Sequence, residues 1–213
     1  MKTLSEVRAL IPLADHEMVP PPGLFWHASA LHGQAHVARV LVHALRLIAA
    51  TGLVEETARL WASVYVHDIA RRHDGHCTDH GADAWARLNS LPDVQALFER
   101  GGVRREDYPA IEAAVTMHSH DEPKPGHPHL RIVRLLKDAD GLDRVRLGDL
   151  DPDFLRYPES RGMTRFAQRL YGETDHKLAV GPDYFARLWP VAQRLAAQVP
   201  DRKPARRDDR GEG

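Results

Sequence analysis

His36-Val-Ala-Arg-Val-Leu-Val-His-Ala-Leu-Arg-Leu-Ile-Ala-Ala-Thr-Gly52 carries apolar residues at Val37, Val40, Leu41, Ala44, Leu45 and Ile48. They return every three or four positions, the spacing at which side chains share one face of an α-helix. The pattern reaches back to Ala30, which predicts a helix over residues 30–51 with Gly52 placed to cap its C-terminal end. A second helix is expected over 54–71, with Leu60, Trp61, Val64, Tyr65 and Ile69 on its apolar side.

The same reading continues in both directions. Thr3-Leu-Ser-Glu6 has the form of a capping box and starts a short helix that Pro12 stops. Further helices are expected over 79–91, 92–100, 108–119, 130–147 (with a kink at Gly141), 162–178 and 182–199, separated by Gly- and Pro-bearing loops. Nothing alternates with period two for long enough to form a strand, so the expected class is all-α. A chain of 213 residues suits one large domain, and no internal linker or repeat divides it. The expected organisation is one domain over 1–199, followed by a charged stretch, 200–213, too poor in apolar residues to order itself.

Composition excludes several functions. The net charge of −1, from 29 basic and 30 acidic residues, gives no global field toward nucleic acid or an anionic membrane. The single cysteine, Cys77, excludes an internal disulfide framework. No segment approaches the ~18 consecutive apolar residues of a membrane span, and residues 1–12 do not read as a signal peptide. The expectation is a cytoplasmic protein without nucleic-acid or membrane partners. Its 14 histidines are the unusual feature, since histidine is the commonest metal ligand and the usual acid or base near neutrality.

His67-Asp68 interrupts Val64-Tyr65-Val66 and Ile69-Ala70, where a histidine and a carboxylate cost free energy unless something satisfies them. A structural hydrogen-bonded pair is one explanation and a pair of metal ligands the other. His73-Asp74 and His120-Asp121 lie in polar surroundings and read as solvated. His32 and His36 are four apart, a spacing that puts both on one helix face. Asp140 lies in Lys137-Asp-Ala-Asp-Gly-Leu-Asp-Arg144, again polar residues threaded through an apolar helix. Imidazole and carboxylate donors converging from separate helices suit a divalent transition metal: Mn, Fe, Co, Ni or Zn.

His36-Val-Ala-Arg-Val40, Val66-His-Asp-Ile69 and Ala139-Asp-Gly-Leu-Asp143 resemble, in this order, the three signatures of the HD-domain superfamily of metal-dependent phosphohydrolases. The resemblance spans roughly residues 30–147. It implies His36, His67, Asp68 and Asp140 as primary metal ligands. It also makes His80 and His118 candidates for a second ion, with His76 and His120 as close alternatives. Asp138 and Asp143 are expected to form surface ion pairs, Asp143 with Arg146 for instance, and Arg39 to pair with a carboxylate. His32 is a ligand, a substrate contact or a residue without a role. His43, seven residues beyond His36, is about 10 Å along the helix axis and too far for the same ion. Cys77 reads as a packed residue.

The resemblance therefore implies a hydrolase acting on a small phosphomonoester or phosphodiester, nucleotide-like, through one or two metal ions. In that reading Asp68 orients a water, and Arg71 or Arg72 binds phosphate where the superfamily often has a lysine. His76, His80 or His118, whichever is not a ligand, protonates the leaving oxygen. Two rivals stand beside it: a di-iron oxygenase of the same superfamily acting on a small molecule, and a non-catalytic metal-stabilised module.

Overall fold

The computed structural model describes residues 2–198, so the charged stretch over 200–213 lies outside the described residues. Ten α-helices, joined by turns and short 3-10 segments, make up the regular structure of one helical domain, with no strand among the described residues. They are α1 (Leu4–Arg8), α2 (Gln34–Thr51), α3 (Thr57–Val66), α4 (His80–Leu88), α5 (Pro92–Arg100), α6 (Tyr108–Met117), α7 (Leu130–Leu142), α8 (Pro158–Gly162), α9 (Thr164–Thr174) and α10 (Tyr184–Gln198).

The axis of the domain is α2. It packs against α1, α3, α7 and α10, and every residue from His36 to Ala49 is buried. A helix enclosed on all sides exposes none of its polar residues. His36, Arg39, His43 and Arg46 are therefore held in the interior, and each polar group left without a partner there costs on the order of 1–3 kcal/mol. Around this axis α3, α6 and α7 pack on one another, and α4 lies against α6. Trp61 and Tyr65 of α3 meet Phe98 of α5 edge to face beside them.

Several boundaries differ from the sequence expectation, and two of the differences shape the site. The first predicted helix begins at Gln34 rather than at residue 30, so His32 lies in the preceding turn, its backbone N–H held by Ser29 Oγ at 2.8 Å. The argument that His32 and His36 share a helix face does not hold. The second helix is shorter as well: α3 ends at Val66, with His67 at its cap. Beyond His67 the backbone bonds tighten to i→i−3, Ile69 N–H to Val66 O at 3.2 Å and Arg71 N–H to Asp68 O at 3.2 Å. His67-Asp68 thus sits at a helix end, not in a helix middle, and the tightened turn aims both side chains inward.

Elsewhere, α7 stops at Leu142 and passes into a 3-10 segment, Asp143–Leu147, just beyond the glycine expected to kink it. The helix expected over 162–178 is α9, which starts at Thr164 and ends at Thr174, and a short helix the sequence reading did not include, α8, precedes it. The capping box of Thr3 and Glu6, the left-handed cap at Gly52 (φ 75°) and the start of α5 at Pro92 stand as expected.

Candidate metal centre

His36 from α2, His67 and Asp68 from the end of α3, His80 from α4, His118 from the end of α6 and Asp140 from α7 converge on one point. They form two groups, His36/His67/Asp140 and Asp68/His80/His118, in each of which the donor atoms lie within 4.8 Å of one another. Asp68 joins the groups. Its Oδ1 lies 3.0 Å from His80 Nε2 and 3.7 Å from His118 Nε2, and its Oδ2 lies 3.5 Å from His36 Nε2 and 3.8 Å from His67 Nε2. Asp140 Oδ1 lies 3.3 Å from His36 Nε2.

The second nitrogen of each ring determines which way it faces. Nδ1 of His67, His80 and His118 is 2.8, 2.9 and 2.6 Å from the carbonyl oxygens of Val64, Cys77 and Val115. A carbonyl only accepts, so these rings carry their proton on Nδ1 and present the Nε2 lone pair to the centre. His36 Nδ1 faces the Asp143 carboxylate at 2.8 Å, with the same result. Orientation of ligand histidines through the outer nitrogen is the usual arrangement in metal sites.

With the proton on Nδ1, the close approach of lone pairs becomes repulsive. His80 Nε2 and His118 Nε2 are 2.8 Å apart, and His36 Nε2 and His67 Nε2 are 3.3 Å apart. Two lone pairs at such distances need a positive charge between or beside them, and Asp68 and Asp140 supply the anionic balance for one. This donor set fits a divalent transition metal.

The approach itself depends on Gly81. A Cβ there would stand 2.2 Å from Val115 O, so any other residue would push α4 off α6 and separate His80 from His118. A glycine inside a helix costs roughly 0.5–1 kcal/mol relative to alanine, and here the cost accompanies close packing of two ligand-bearing helices.

The electrostatics follow burial and charge. Burial pushes the His67 imidazolium down to about 4, so the ring is neutral at pH 7. For His36, burial and Arg146 oppose protonation, but hydrogen bonds to Asp140 and Asp143 outweigh them and hold its pKa above the usual value. Without a cation, Nε2 therefore holds a proton toward Asp140, and a metal ion at Nε2 would take that proton's place. Desolvation would raise Asp68 and Asp140, yet the surrounding histidines keep both carboxylates well below the usual range.

The remaining predicted site residues divide. Arg71 borders the centre: its NH1 is 3.3 Å from His80 Nε2 and 3.8 Å from Asp68 Oδ1, and its NH2 donates to Gly75 O at 2.9 Å. Arg72 points away, pairing with Asp83 at 3.2 Å and lying over the Trp26 ring. His76 is exposed on the loop between α3 and α4, outside both donor groups. His120 is exposed too, and contributes its carbonyl to Lys137. One physical reason covers both: the tight α4–α6 contact draws His80 and His118 inward and leaves their near neighbours outside. His32 is buried beside the centre, its ring edge-on to His36, and its Nδ1 is 3.0 Å from Asp74 Oδ1.

Asp138 and Asp143 depart from the sequence reading in their burial. Asp143 is fully buried rather than superficial, although its expected pair with Arg146 is present at 3.7 Å. It orients His36 and is the carboxylate that Arg39 pairs with, through Nε at 2.6 Å and NH2 at 3.0 Å. Asp138 is also fully buried and accepts from the backbone N–H groups of Arg156 and Tyr157 and from Ser160 Oγ, which anchors the entry to α8. Asp74 is exposed, in keeping with the solvated reading, and in addition accepts from Ser29 Oγ and lies beside His32 and His27. The sequence places Asp143 at the end of the third signature and leads one to expect Arg39 to pair with a carboxylate, but neither reveals that the two residues meet each other.

No family of known proteins matches the chain, and neither a curated protein nor a solved structure matches it.

Proposed function

We propose that the chain is a metal-dependent phosphohydrolase of the HD type, acting through a metal-activated water on a phosphomonoester or phosphodiester. The observation that carries the proposal is the joining of two three-donor groups by Asp68, with His80 Nε2 and His118 Nε2 only 2.8 Å apart. The three signatures quoted from the sequence supply four of the six donors, all of His36/His67/Asp140 together with Asp68, and His80 and His118 complete the second group.

A divalent cation held by these residues would polarise a phosphoryl oxygen and lower the pKa of a bound water. The chain's own groups do the rest. Asp68, an ionised carboxylate at neutral pH, accepts a hydrogen bond from the water and orients it. Arg71 places a guanidinium beside the centre, where charge grows on the phosphoryl group during the reaction. Asp143, gripped by Arg39, keeps the ring of His36 in one orientation.

The test is hydrolysis of a phosphoester panel by protein stripped of metal and reloaded with Mn, Fe, Co, Ni or Zn. Metal-dependent release of phosphate that disappears in the double variant His67→Ala/Asp68→Ala supports the reading. Full metal loading with no turnover of any ester rejects it in favour of a metal-stabilised module.

A di-iron oxygenase is the second reading, favoured by the same carboxylate standing between two histidine-rich groups. Iron retained on purification, with visible absorption and an EPR signal, together with no phosphoester turnover, would select it.

A further inference from the structure

A cavity of about 400 Å³ opens beside the centre, and one residue of each donor group, His118 and Asp140, forms part of its wall. Its size is within the range of small-molecule sites. Its remaining wall has two kinds of surface: charged side chains from α7 and the following segment, and an apolar side made by Leu150, Leu155 and Phe154.

Among the cations, Lys137 differs from the others. Arg144 is paired with Asp149, and Arg156 is paired with Asp138 and Glu122. Lys137 is buried, with 7% exposure, yet its Nζ donates only to the carbonyl oxygens of His118, at 3.0 Å, and His120. An ammonium has three N–H groups, so one is left without a protein acceptor among the described residues. Among the described residues no carboxylate is within ion-pair distance of it; Asp140, Glu122 and Asp121 act on it only from farther away. Burying a cation without a counter-ion is expensive, and an anion in the cavity would offset that expense.

The apolar side is as suggestive. Phe154 is 76% exposed at the rim. A single exposed aromatic is ordinary by itself, but this one borders a cavity that already contains an unpaired ammonium. Gly141, the residue after the candidate ligand Asp140, also lines the cavity, and a Cβ there would come within 3.2 Å of Leu155 Cδ2.

We infer that this cavity is the substrate subsite. Lys137 takes an oxygen of the phosphoryl group, and the organic part of a compact phosphoester, one with a flat apolar face, lies against Phe154, Leu150 and Leu155. The inference rests on the phosphohydrolase reading for the identity of the anion, but it specifies the chain's own residues and the size and character of the leaving group.

The test measures binding rather than turnover. Phenylphosphonate and methylphosphonate, whose carbon–phosphorus bonds do not hydrolyse, are titrated calorimetrically into metal-loaded protein. Wild type should bind phenylphosphonate about tenfold more tightly than methylphosphonate. Lys137→Gln should weaken both by tenfold or more, and Phe154→Ala should remove the preference for the phenyl compound while leaving methylphosphonate binding unchanged. Phe154 is so exposed that its variant should fold even if the lysine variant does not. Equal binding of the two compounds by wild type, or a phenyl preference that survives Phe154→Ala, overturns the apolar side of the subsite. Unchanged affinities in folded Lys137→Gln overturn the anion contact. Hydrolysis of the phosphoester panel, p-nitrophenyl phosphate included, separates the two ideas: the binding pattern with no ester hydrolysed rejects the phosphohydrolase and keeps the anion subsite, whereas hydrolysis without the pattern does the reverse.

Discussion

The carboxylate of Asp143 and the ring of His36 meet at 2.8 Å across 107 positions of sequence. That contact holds the His36 ring so that Nε2 faces Asp68 and Asp140, and Arg39, one turn along α2, holds the carboxylate in place from the other side. The orientation of a candidate ligand thus depends on a residue that is itself outside both donor groups.

Asp143→Ala should reduce metal affinity by about 10–100-fold, the usual cost of losing such a supporting carboxylate. It also leaves the buried Arg39 guanidinium without its partner, so stability should fall by about 3–5 kcal/mol. Competition with a chromophoric chelator and chemical unfolding check the two effects. Unchanged metal affinity in the folded variant would show that His36 needs no such support.

Stripped wild-type protein should take up close to two equivalents of metal, because Asp68 offers one oxygen to each donor group. His80→Ala and His118→Ala should each reduce this to about one, and His36→Ala should remove the other ion. Saturation of wild type at one equivalent, retained by the His80 and His118 variants, would make the centre mononuclear.

Asp74→Ala should leave metal stoichiometry unchanged, since neither Asp74 nor its neighbour His32 belongs to a donor group. It frees His32 beside the centre, and kcat/KM on a phosphoester should fall about tenfold or more. Equal kinetics in variant and wild type would return the pair to a structural role.

His43 is a test of the core rather than of the centre. It is fully buried against the edge of Phe166, and neither ring nitrogen has a hydrogen-bond partner among the described residues. Burial pushes its pKa down to about 4 from the usual 6.5. Between pH 6.5 and pH 4 the unfolded chain therefore binds a proton that the folded chain refuses, and stability falls as pH falls through that window. His43→Leu removes both the unpartnered nitrogens and this dependence. Its melting temperature should exceed that of wild type, by more at pH 5 than at pH 8. A gain that does not depend on pH would mean that His43 is solvated or paired in solution.

Much of the architecture was legible in the sequence because amphipathic periodicity is local. Val37, Val40, Leu41, Ala44, Leu45 and Ile48 specify a helix from their own spacing, and all six are buried in α2. The caps at Thr3 and Gly52 and the proline that opens α5 are equally local, and each stands where it was expected. The boundaries that shifted lie where packing competes with propensity. At His67 the helix gives way to tighter turns that carry Asp68 inward, and before Gln34 the chain is held by Ser29 and Asp74 instead of continuing the helix.

The sequence alone determined the helical class and, through its resemblance, the set of histidines and aspartates able to hold a metal. Only the tertiary structure decided among near neighbours of the same chemistry: His80 and His118 inside while His76 and His120 stay exposed, Arg71 beside the centre while Arg72 pairs with Asp83, Asp143 buried rather than superficial. The reason is physical. Spacing along one helix fixes which side chains share a face, but a site built from α2, α3, α4, α6 and α7 depends on how closely those helices approach, and that is set by contacts such as Gly81 against Val115 that no local pattern contains.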